Sequence, residues 1–86
     1  MPPEDPIAAE ILRQTQARGA ERSICPSEVA RALAGGNGGP WRPLLGAVRA
    51  TALRLAAEGR IEILRKGRPV PPEGVRGVIR LRTRSR

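Results

Sequence analysis

The 86 residues carry sixteen cations, fifteen of them arginine, against eight acids, with no histidine and no tyrosine. A chain this short makes one domain, burying roughly 60% of its unfolded surface. Its lone cysteine can form neither an internal disulfide, a zinc site nor a Cys–His nucleophile pair, and no stretch approaches the ~20 apolar residues of a membrane span. The expectation is a non-catalytic cytoplasmic protein with no cofactor and no metal.

Residues 1–5 read as a disordered lead, acidic and Pro-rich and unlike a signal peptide. Pro6 suits the first turn of a helix, where a missing N–H costs nothing. Ile7, Ala8, Ile11, Leu12 and Thr15 then recur at helical spacing until Gly19. Ser23-Ile24-Cys25 reads as a short extended piece. A second helix follows, with Cys25 at its cap, Pro26 first, and Glu28 placed to reach back to the cap N–H. Val29, Ala30 and Leu33 form its buried stripe, and Gly35-Gly36 ends it. The run from Gly35 to Gly39 is a flexible, sharply turning loop.

Pro40 is expected to open the third and longest helix, which runs to about Glu58 and stops at Gly59. At 100° per residue, Trp41, Leu44, Leu45, Val48, Ala52, Leu55 and Ala56 share one face. Gly46, Ala47 and Ala50 fall opposite, flanked by Arg42, Arg49 and Arg54. Residues 60–66 read as a strand. Residues 78–82 read as its partner, with Ile79 and Leu81 inward and the arginines outward. Gly67 to Gly77 is a Pro-rich connection, too long for a tight turn.

Three short helices closed by a small antiparallel ribbon make an α+β fold, mostly α, in the winged helix-turn-helix arrangement. The domain spans residues 6–82, the wing is residues 67–77, and residues 83–86 are a basic tail. At this point a resemblance becomes specific. The run from Ser23 to Leu33 (SICPSEVARAL), Trp41-Arg42, the run from Arg54 to Glu62 (RLAAEGRIE), and the run from Lys66 to Val70 (KGRPV) resemble a family of small bacterial proteins known as a domain of unknown function. The likeness covers roughly residues 6–82. It implies a winged helix and supplies no mechanism.

Residues 41–86 hold twelve of the cations and three acids, a net charge of +9, whereas residues 1–40 have a net charge of −1. Such asymmetry points to a phosphate-bearing partner. The candidate double-stranded DNA-binding set is Arg42, Arg49 and Arg54 on the third helix, Lys66, Arg68 and Arg76 on the wing, and Arg80 and Arg82 on the last strand. Arg84 and Arg86 extend that strand's alternation. With no Asn, Gln or Ser on the helix face, base selectivity should be low. The competing account is a solvated charged face in an arginine-rich composition. A rival function is a protein-interaction module docking a partner on the Gly46, Ala47 and Ala50 face. A more distant one is duplex RNA binding.

Two further residues carry alternatives. Cys25, at a helix N-terminus, is a candidate redox residue, against a structural role in the turn. Trp41, the one aromatic side chain, is a core plug at the start of helix three, or else an exposed anchor. Residue pattern does not distinguish a monomer from a dimer.

Overall fold

The computed structural model describes residues 5–36 and 38–84. Most of the expected lead, Asn37, and the last two residues of the expected tail, Arg86 among them, lie outside the described residues. Three helices, α1 (Pro6–Arg18), α2 (Pro26–Leu33) and α3 (Leu45–Ala57), precede or flank a sheet of β1 (Ile61–Arg65), β2 (Arg68–Val70) and β3 (Arg80–Thr83). The layout is the expected α+β, winged-helix-like one. No helix among the described residues is long and apolar enough to cross a membrane.

Local chemistry fixes where each helix begins and ends. Asp5 caps α1, its Oδ1 accepting from the Ile7 N–H at 2.8 Å, with Pro6 in the first turn. The Cys25 N–H donates to Glu28 Oε2 at 2.8 Å, the reach-back bond expected at the start of α2. Both α2 and α3 end in Schellman motifs. The N–H groups of Gly35 and Gly36 return to Ala32 and Arg31, and those of Gly59 and Arg60 return to Ala56 and Leu55. Gly35 and Gly59 take φ of 96° and 77°, which L residues with side chains avoid.

The third helix departs from expectation at its start. Pro43, not Pro40, lies in the opening turn: Arg42–Leu44 form a 3₁₀ turn and α-helix begins at Leu45. A helix opened by Pro40 would place Pro43 where an N–H is needed, and Pro43 has none to give.

The largest departure is in the connection after β1. Lys66 and Gly67 have φ of 51° and 80°, the two positive values of a type I′ hairpin turn. The chain therefore folds back at once into β2, pairing Arg65 with Arg68, Leu64 with Pro69 and Ile63 with Val70. Proline donates no hydrogen bond, so Leu64 and Pro69 are a non-bonded pair on an edge strand, where proline is tolerated. The remaining loop returns to β3, which pairs antiparallel along the other side of β1, giving the order β2-β1-β3. Ile24 extends the sheet beyond β3 by a two-bond bridge to Leu81, each bond 2.8 Å.

Alternation from Ile79 into β3 sends Ile79 and Leu81 inward, joined by Ile61 and Ile63 of β1. They meet Ala8 and Ile11 of α1, Val29 and Ala30 of α2, and Val48, Ala52 and Leu55 of α3 in one core. Fully burying each large aliphatic side chain there contributes about 1.5–3 kcal/mol. The buried Thr15 hydroxyl is satisfied locally by the Ile11 carbonyl at 2.8 Å.

Candidate nucleic-acid interface

With Val48, Thr51, Ala52 and Leu55 turned into the core, α3 leaves Gly46, Ala47 and Ala50 exposed on its outer side. The three arginines assigned to this helix do three different things. Arg42 lies ahead of α3 in the 3₁₀ turn, its guanidinium carbon 4.5 Å from the centroid of the Trp41 ring. Arg49 is half-buried and donates to two loop carbonyls, Gly77 at 2.9 Å and Val75 at 3.2 Å. It fastens the returning arm of the wing to the helix. Arg54 is exposed and pairs with Glu58 at 3.2 Å, one turn on. An exposed pair of that spacing is worth about 0.3–0.5 kcal/mol, so a phosphate can replace Glu58 at little cost.

The wing carries the accessible charge. Lys66 and Arg68 flank Gly67 at the hairpin turn, and Arg76 lies on the return. All three are exposed, and none has an ion pair or side-chain hydrogen bond among the described residues. Arg65 instead lies across the base of the wing and donates to the Val78 carbonyl at 3.4 Å. Gly77 makes this possible, because a Cβ there would overlap the Arg65 Nη1.

On β3 the alternating arginines face outward and are engaged within the fold. Arg80 donates to the Ser23 hydroxyl at 2.7 Å and the Ser23 carbonyl at 3.0 Å, tying β3 to the segment before α2. Arg82 donates through Nε and Nη2 to Glu62 Oε1, at 2.9 and 2.6 Å, across the β1–β3 ladder. Arg84 reaches the Gly59 carbonyl at 3.4 Å. The structure thus brings Lys66, Arg68 and Arg76 onto one free segment, links Arg49 to it, and directs Arg80 and Arg82 elsewhere.

Sequence reasoning did not single out Arg31. It leaves the last turn of α2 and places its guanidinium carbon 4.5 Å from the Trp41 centroid, as Arg42 does. Trp41 is half-buried, packed against the core on one part and covered by these cations on another. It combines features of both alternatives. The signal for Arg31 in the chain is faint: an arginine four residues before a glycine run, ten before the ring it meets.

Cys25 is half-buried, and its Sγ accepts from the Ser27 hydroxyl at 3.1 Å. Glu28, which holds the Cys25 N–H, also pairs with Arg18 at 2.8 Å. This side chain completes a helix cap linked to α1. Among the described residues no three His, Cys, Asp or Glu side chains gather as a metal site would require.

The profile of a family described as "Protein of unknown function (DUF3253)" matches residues 4–84, nearly the whole chain. No curated relative matches.

Proposed function

The chain belongs to that family, and we propose that it is a non-catalytic protein that binds double-stranded DNA through the phosphate backbone, with low sequence selectivity. One observation supports the reading: among the described residues Lys66, Arg68 and Arg76 stand exposed and unpartnered on a wing that Arg49 bonds to α3. Cations without an internal partner are the ones that can release counterions from a duplex.

The outer face of α3 supports the same arrangement. Gly46, Ala47 and Ala50 raise no bulk between helix and phosphate, and Arg54 is held only by an exposed ion pair. The helix lies along the groove, the wing meets the adjacent backbone, and base edges contribute little. A smaller set of cations than the whole basic half does the binding, because Arg80 and Arg82 serve the fold.

The test is fluorescence anisotropy of duplex DNA, single-stranded DNA and duplex RNA, each titrated across salt. About three to five neutralised phosphates predict a log–log salt slope of about −3 to −4.5, with duplex DNA preferred. Equal affinity for duplex RNA moves the reading to duplexes in general. No binding at low salt overturns it and favours the interaction module, which the small, nearly uncharged α3 face supports.

A further inference from the structure

Away from the wing, two cations meet at Trp41. Arg31 and Arg42 come from different elements, the end of α2 and the 3₁₀ turn before α3. Each guanidinium carbon lies 4.5 Å from the same ring centroid, so the two lie within twice that distance of each other. Neither has a carboxylate partner among the described residues, whereas Arg13, Arg18, Arg54 and Arg82 each have one. Two like charges held to one ring repel, and an anion bound beside them offsets that repulsion.

Beside the ring is a cleft of about 350 Å³ lined by Arg31, Gly36, Gly38, Gly39, Trp41 and Arg42. Among the described residues its wall contains two cations, no acid, and three glycines, which have no side chain to put into the space. Gly39 is required for that shape, since a Cβ there would overlap the Ala34 carbonyl oxygen at the end of α2. The loop is thereby closed against the helix and the cleft is concave. Cation–π attraction to the indole holds each guanidinium at the cleft, and a guanidinium can grip oxygen anions at two points.

We propose that this cleft binds a phosphate group presented end-on, as a terminal phosphate monoester or free phosphate. A dianion matches the two cations, and a concave site with a glycine wall admits an end where a continuous duplex backbone would not enter. The volume lies at the small end of the range for ligand pockets, which suits a phosphate and the sugar that carries it. The site is separate from the wing and stands whether or not the wing binds a duplex.

Trp41 is the sole aromatic residue, so its fluorescence reports this cleft alone. The full chain is titrated with ribose 5-phosphate, inorganic phosphate and ribose, with chloride as the ionic-strength control. A saturable change is expected with both phosphates and none with ribose or chloride. A tighter ester identifies a nucleotide-like ligand, and equal affinities identify the free ion. Arg31→Gln and Arg42→Gln should each weaken binding about tenfold or more, as loss of a charge-assisted bond does, while Lys66→Gln leaves it unchanged. Calorimetry checks the same affinities without relying on the ring. Absence of a saturable change, an equal response to chloride, or full affinity in Arg31→Gln would overturn the proposal.

Discussion

The wing and β3 are both rich in basic side chains, yet among the described residues Lys66, Arg68 and Arg76 meet no partner while Arg80 and Arg82 meet Ser23 and Glu62. The difference lies in what surrounds each segment. β3 runs between β1 and the Ile24 bridge, so its outward side chains have neighbouring strands within reach. The wing projects past the end of β1 around a two-residue turn, and its one acid, Glu73, makes no ion pair with Lys66, Arg68 or Arg76 among the described residues. Formal charge is therefore a poor measure of charge available to a ligand; the position of each arginine in the sheet decides which it is.

The sharpest way to break this contrast is to remove what β3 does for the fold. Leu81→Ala, beneath the arginine pair and fully buried, should cost about 2–5 kcal/mol in urea denaturation through lost contacts and a cavity. Next in size is the wing itself. Replacing Lys66, Arg68 and Arg76 together with Gln should flatten the salt slope of duplex binding by about three units and leave the urea midpoint nearly unchanged. A wing that loses stability instead, or a slope that stays put, would reverse the assignment.

Arg82→Gln sharpens the comparison from the other side. It should lower stability by about 1 kcal/mol, because Glu62 loses a half-buried charged partner, with duplex affinity held within about twofold. The smallest effect concerns α1. Hydrogen bonding to Arg13 holds the Glu10 carboxyl below its ordinary pKa, aided by Gln14 and opposed by burial. A depressed folded-state value means stability present above the unfolded pKa and lost as pH falls through the folded one. Glu10→Gln should thus be less stable than the parent at neutral pH, and the gap should close below about pH 4 in a thermal melt series.

The main lines of the fold were legible because they rest on near-neighbour rules. Alternation placed Ile79 and Leu81 inward, glycines stopped all three helices, and Glu28 reached its cap. The start of α3 turned on choosing between Pro40 and Pro43, and the later proline governs. β2 was not legible because a Lys at positive φ is an uncommon hairpin residue, so Lys66-Gly67 gives a weaker turn signal than Asn-Gly. Partners of the arginines were beyond the chain's local pattern altogether. Ser23 and Arg80 are 57 residues apart, and Arg31 meets Trp41 only because the glycine loop folds back on α2. Sequence counted the cations; the register of β1 with β3 allocates them.

Arg49 has a consequence for association. By gripping the carbonyls of Val75 and Gly77, it turns the return from β2 to β3, residues 71–79, into a bracket braced on α3. On the proposed reading, a duplex arriving at that bracket finds wing and α3 already tied together, so docking freezes little additional motion. Such a grip works as a calliper, favouring partners whose spacing already matches it.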